Sequence, residues 1–174
     1  MLKIYANTWG NYNEHGADGG EWITLPMDED DLREELERIA EAMGDHDPEW
    51  FVNDYEWEGA IEWGEVSELD SYFKWNEELQ ELAALEEYEQ EELAALIEAG
   101  GYSIAEAMED QQRGNFVFYA GMSLDDVAAE IADEWLNSNT IPDFIRNYFN
   151  YDAFARDLRF DGYTETEWGT ILID

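Results

Sequence analysis

Leu2-Lys3-Ile4-Tyr5-Ala6-Asn7-Thr8, Glu21-Trp22-Ile23-Thr24-Leu25 and the run from Asp28 to Met43 decide the fold class of this chain. The first two are short and rich in β-forming residues, so they read as strands. In the third, Leu32, Leu36, Ile39 and Met43 recur at helical spacing. Asp28–Asp31 place negative charge at that helix's first turn, where the dipole favours it. Gly44 and Pro48 end the helix, and Trp50–Trp57 resumes as a strand. Gly10–Gly20, with four glycines and two asparagines, reads as a long loop between the first two strands. Strand, loop, strand, helix, strand is an α+β beginning.

Further along, the pattern turns helical. Leu69, Tyr72, Phe73, Leu79, Leu82 and Ala83 suggest one apolar face, and Leu93, Leu96 and Ile97 a second, closed by Gly100-Gly101. Ser103-Ile104-Ala105-Glu106 is a capping box that opens a third helix. Asn115–Ala120 reads as a strand, and Ser123-x-x-Asp126 caps a helix through Leu136. Pro142 suits a helix N1 position before Asp143–Phe149. Asp152–Arg159 follows as a short helix, then Gly162–Ile173 as a strand or hairpin. The expected architecture is α+β in three parts: a small sheet with a helix over residues 1–60, a central acidic helical bundle over 61–112, and a C-terminal α/β part over 113–174.

The charge is extreme. Among 174 residues there are 45 Asp or Glu against 8 Lys or Arg, a formal net charge of −37. The chain nevertheless has 8 Trp, 10 Tyr and 8 Phe, so it is no disordered acidic tail. Residues 1–59 carry a net −14, residues 60–112 a net −15 and residues 113–174 a net −8. Nine Glu and no base lie between Trp75 and Ala99. Self-repulsion of this size opposes compactness. It also disfavours nucleic acid and anionic membrane as partners and favours a basic surface, such as that of a DNA-binding protein.

Other chemistry is hard to find. There is no Cys, so disulfides and thiolate metal sites are excluded. No apolar run is long enough to span a membrane, and the N-terminus lacks the apolar core of a secretion signal. A cytoplasmic, soluble protein is expected. No phosphate-binding glycine loop or HExxH motif occurs. His15 and His46 read as solvated loop residues. Asp28–Asp31 superficially resembles a calcium loop, but Arg33 and Ile39 stand where its Gly and Glu belong. Ser103 and Ser123 read as caps rather than nucleophiles, and Trp9, Trp22, Trp57 and Trp63 as core. No catalytic residue, metal ligand or cofactor is expected, and the chain does not read as an enzyme.

The carboxylates themselves are then the candidate chemistry: Glu77, Glu78, Glu81, Glu86, Glu87, Glu91, Glu92, Glu98, Glu106, Glu109, Asp110, Asp125, Asp126, Glu130, Asp133 and Glu134. Glu87, Glu91 and Glu98 fall on one helical stripe, and residues four apart are separated by about 6 Å along the axis, the scale of successive phosphates. Like charges at that spacing cost a helix roughly 0.2–0.5 kcal/mol per pair. At one charge per about 1.7 Å of duplex axis, the net charge matches roughly 60 Å of DNA at most. A halophile-type solvated surface has the same composition, as does a mimic aimed at a nucleoid or histone-like protein.

Particular residues add to this. Ile4-Tyr5-Ala6-Asn7-Thr8-Trp9-Gly10-Asn11-Tyr12-Asn13, then Gly20-Glu21-Trp22-Ile23-Thr24-Leu25-Pro26, Asp47-Pro48-Glu49-Trp50, Asp54-Tyr55-Glu56 and Ala99-Gly100-Gly101-Tyr102-Ser103 follow one another in order. Ile141-Pro142, Asn147–Tyr151, Tyr151-Asp152-Ala153-Phe154-Ala155-Arg156-Asp157-Leu158 and Gly162-Tyr163 complete the series. In these blocks the chain resembles the ArdA family of antirestriction proteins over nearly its whole length. The resemblance implies an elongated three-part α+β protein that mimics DNA, inhibits type I restriction-modification enzymes by occupying their DNA groove, protects incoming mobile DNA, and forms a homodimer through its C-terminal part. It also implies an acidic antirestriction motif, for which Asp125–Leu136 is the candidate. The same segment reads equally well as an ordinary amphipathic helix burying Leu124, Val127, Ile131 and Trp135.

Overall fold

The computed structural model describes residues 1–138 and 141–173, without the side chain of Asp143. The chain forms two compact units, Met1–Leu85 and Glu86–Asp174. Among the described residues there are eight α-helices and two three-stranded antiparallel sheets, an α+β fold as expected.

In the first unit β1 (Leu2–Thr8) lies between β2 (Glu21–Leu25) and β3 (Trp50–Trp57). Leu2 pairs with Leu25 and Trp57, and Ile4 with Ile23 and Tyr55, so strand alternation gathers these side chains on one face. Leu2, Ile4, Ile23 and Leu25 are buried there, as are Leu32, Leu36 and Ile39 of α2 (Glu29–Met43). Asp28 caps α2, its carboxylate accepting from the Asp30 N–H at 2.9 Å.

The Gly10–Gly20 loop is not all loop. Trp9–His15 forms the short helix α1, and Ala17–Gly19 a single 3-10 turn. The cause is a buried polar network invisible to residue counting. Thr8 Oγ1 accepts from the Asn11 N–H (3.1 Å) and donates to Asp45 (2.6 Å). Asn11 Nδ2 donates to Asn7 Oδ1 and to the Gly19 carbonyl, both at 2.8 Å.

Helix α3 (Tyr72–Ala83) packs on α2 and β2. It buries Tyr72, Trp75, Asn76, Leu79 and Leu82, which corrects the predicted face. Leu69 precedes the Ser71 cap, lies outside the helix and is 77% exposed, and Phe73 and Ala83 are also exposed. Asn76 takes the missing place by accepting from the Met27 N–H and donating to the Met27 carbonyl. Trp63 is buried, but Trp22 points outward at 45% exposure, against the expectation that it fills the core.

In the second unit β6 (Gly169–Ile173) runs between β4 (Phe116–Ala120) and β5 (Tyr163–Thr166). Helix α4 (Glu87–Gly100) packs on all three strands and on α5 (Ile104–Arg113). Gly101 ends α4 at φ 67°, a left-handed conformation that costs a residue without Cβ little. Helix α6 (Leu124–Ser138) packs on α8 (Tyr151–Phe160), with Leu124, Ala128, Ala155 and Leu158 at the centre of the contact. The segment after Pro142 is a single turn, α7 (Asp143–Arg146), rather than a helix to Phe149, and Pro142 is its N-cap. Both predicted serine caps are present: Ser103 and Glu106 form the reciprocal box, and Ser123 Oγ accepts from the Asp126 N–H at 3.2 Å.

Candidate functional site

The described carboxylates all reach the surface. The buried polar side chains are Asn7, Thr8, Asn11, Asn76 and Thr170, with no Asp or Glu among them. This is what desolvation predicts, because a buried unpaired carboxylate would be strongly disfavoured. Met1–Leu85 has a formal net charge of −20 and Glu86–Asp174 one of −17.

The cations are spent locally. Lys3 pairs with Glu58 (2.5 Å), Arg33 with Glu29 (2.5 Å), and Arg38 with Glu21 (2.7 Å) and Glu35 (2.8 Å). Lys74 reaches Glu78 (3.5 Å), and Arg113 reaches Glu109 (2.8 Å) and Asp110 (2.9 Å). Arg156 lies beside Asp157 and Arg159 beside Glu165. Arg146 donates to Asn137 Oδ1 and the Leu136 carbonyl. Of the candidate carboxylates, Glu78, Glu109 and Asp110 therefore share their charge with a neighbouring base.

The remaining candidates fall into distinct settings. On α3, Glu77 and Glu81 are exposed one turn apart. At the start of α4, Glu86 and Glu87 are exposed, while Glu91 and Glu92 are half-buried. Glu92 accepts from Gln111 Nε2 (3.1 Å), which ties α5 to α4. Glu98, at the far end, accepts from the Glu167 N–H (3.0 Å). Between them Leu93, Ala94, Ala95 and Leu96 are buried on every side of the helix. The stripe Glu87, Glu91, Glu98 is thus a pair of acidic ends around a core segment rather than a continuous row.

Helix α6 is different. Asp125, Asp126, Glu130, Asp133 and Glu134 are all exposed. At about 100° per residue, the last four lie within one sector of the helix, opposite buried Leu124, Ala128 and Ala132. No Lys or Arg occurs on this helix. Its amphipathic reading holds for Leu124 and Val127, and Ile131 packs partly buried, but Trp135 is 56% exposed.

Tyrosines register the resulting field, and no motif or spacing in the sequence singles them out. The Tyr88 phenol is pushed up chiefly by the charge of Glu89. Tyr151 donates to Asp133 Oδ1 at 2.6 Å, and that bond raises its pKa. Burial raises Tyr119, with Tyr163 and then Glu130 and Glu134 adding to it. Two carboxylates move the other way: Arg38 lowers Glu35, and the Ser103 N–H and hydroxyl lower Glu106. Those are capping and ion-pair effects, not the raised carboxyl of a general acid. Among the described residues no group of three or more His, Asp or Glu is arranged to hold a metal ion. No helix of the described residues is long and apolar enough to cross a membrane.

A family model described as antirestriction protein (ArdA) matches residues 4–171, nearly the whole chain, and the chain belongs to that family. No curated protein matches it.

Proposed function

We propose that this member of the antirestriction family is a DNA-mimicking inhibitor of type I restriction-modification enzymes, not an enzyme itself. Its surface carboxylates occupy the basic groove that otherwise holds duplex DNA. The observation that carries this reading is the α6 face of Asp126, Glu130, Asp133 and Glu134, exposed together and free of any base on the same helix. Like charges one turn apart weaken a helix, so a face built this way serves something other than stability. A basic groove offers the compensation: it attracts the array over long range, and the attraction falls with salt. Because the carboxylates are fixed on a folded scaffold, less ordering is needed on binding.

The protein acts in the cytoplasm, on behalf of incoming mobile DNA, and as a homodimer through its C-terminal part. Phe144, Tyr148 and Phe160 support the last point, being 67%, 84% and 81% exposed. Large apolar side chains left exposed in this way suit an association surface.

The deciding experiment is competition between the purified chain and labelled duplex for a type I methyltransferase across a salt series. Displacement is expected to be strongest at low salt. A folded chain that displaces no duplex at low salt rules the reading out. A chain whose acidity serves only solvation would instead lose its fold as salt is withdrawn.

A further inference from the structure

The solvent-facing side of the first sheet is unlike the acidic helices. Strand alternation places Lys3 and Tyr5 of β1, Trp22 and Thr24 of β2, and Asp54 and Glu56 of β3 on that side, opposite the buried face. The register sets them in two rows: Trp22, Tyr5, Asp54 and then Thr24, Lys3, Glu56. Trp22 is 45% exposed and tilted against Tyr5, with ring centroids 5.1 Å apart.

The pair is braced from below. A Cβ on Gly20 would come within 2.9 Å of the Tyr5 ring and 2.6 Å of the Ala6 carbonyl. The Tyr5 ring therefore lies directly on the Gly20 backbone, which holds it in place beside Trp22. Lys3, the cation on this face, is engaged by Glu58 at 2.5 Å. Asp54 and Glu56 are exposed at the end of each row. The face thus offers an indole, a phenol ring and two carboxylates.

That combination suits one kind of group. A guanidinium stacks on an aromatic face, and its N–H fork pairs with a neighbouring carboxylate. An ammonium gains the charge but lacks the planar stacking and the fork. We propose that this sheet face is a docking site for arginine side chains of a basic protein partner, with Trp22 and Tyr5 as the stacking platform and Asp54 and Glu56 as its anionic rim. The inference rests on the basic partner proposed above, but it adds a contact that charge alone does not supply.

The test compares a short oligoarginine peptide with an oligolysine peptide of equal length, titrated into the full chain at moderate salt. Oligoarginine is expected to bind about two- to fivefold more tightly for each stacked side chain. The Trp22 indole N–H resonance should shift with oligoarginine and much less with oligolysine. Trp22→Ala should abolish the preference and lower oligolysine affinity far less than oligoarginine affinity, and Trp22→Phe should retain part of the preference. Equal affinities for the two peptides, or an indole that does not move, overturn the inference. The indole readout uses the unaltered chain, so it stands even where the alanine variant folds poorly. Loss of this preference with duplex displacement intact defeats the docking site alone. An intact preference without displacement defeats the restriction-enzyme reading alone.

Discussion

Helices α4 and α6 are close to equal in length, 14 and 15 residues, and each carries five acids and no base. They use those acids in opposite ways. Leu93–Leu96 make the middle of α4 a core segment against β4, β5, β6 and α5, so its acids are driven to the two ends. Helix α6 buries one side against α8 and leaves a whole face to carboxylates. Charge counted along a sequence is therefore a poor guide to charge presented on a surface. The densest acidic run in the chain is not where the best array lies.

The largest expected effect tests the core character of α4. Leu96→Ala removes a fully buried side chain, and such truncations cost about 2–5 kcal/mol. Urea denaturation measures it. A cost below about 1 kcal/mol, the level of many tolerated surface changes, would mean that α4 is not the segment around which the second unit packs.

Next in size is the contrast in inhibition. Replacing Asp126, Glu130, Asp133 and Glu134 of α6 by their amides removes four exposed charges at once. At about 0.2–1 kcal/mol for each exposed pair, inhibition should weaken roughly fourfold to nearly a thousandfold. The same treatment of Glu87, Glu91 and Glu98 on α4 should do less, since the buried Leu93–Leu96 segment interrupts their row. Competition against duplex at low salt compares the two, and a larger loss from α4 would reverse the ranking.

Much of this arrangement was legible. The limits of β1, β2 and β3, the Asp28, Ser103 and Ser123 caps and the Gly101 stop follow from composition and local hydrogen bonding. What escaped was non-local. Helix α1 depends on Thr8 reaching Asp45, 37 positions away in sequence. Asn76 is buried because Met27 offers both a donor and an acceptor. In α4, helical periodicity identified Leu93, Leu96 and Ile97 but not the burial of Ala94 and Ala95, since alanine gives no strong apolar signal. The carboxylate faces were legible only as candidates, because exposure depends on which side of a helix the sheet covers.

A smaller effect concerns the cap of α5, the helix that Gln111 ties to α4. Ser103→Ala removes the hydroxyl that bonds the Glu106 carboxylate at 2.7 Å, and a fall of a few degrees in Tm is expected at neutral pH. The Glu106 pKa is lowered in the folded chain by the Ser103 N–H and hydroxyl. Its contribution is thus complete above the ordinary carboxylate range and is lost as pH falls through the lowered value. The gap between variant and parent should therefore close in acid. A gap that widens in acid would show that Glu106 is not the partner that matters.

The smallest effect is the most telling about why α6 is built as it is. Glu130 has Asp126 one turn before it and Asp133 and Glu134 one turn after it, so Glu130→Gln relieves three like-charge pairs. At about 0.2–0.5 kcal/mol per pair, the helix should gain stability, visible as a small rise in Tm that fades as salt screens the repulsion. The Tyr119 phenol, raised mainly by burial but also by Glu130 and Glu134, should titrate at a lower pH in the variant, as followed by its ring resonances. Inhibition should scarcely change, because one charge of a distributed array is removed. A variant that is more stable and still inhibits would show the repulsion is a cost borne by the free protein and returned only at a basic groove. A variant no more stable at low salt would mean that the α6 carboxylates do not feel one another, and the face would then be an ordinary solvated one.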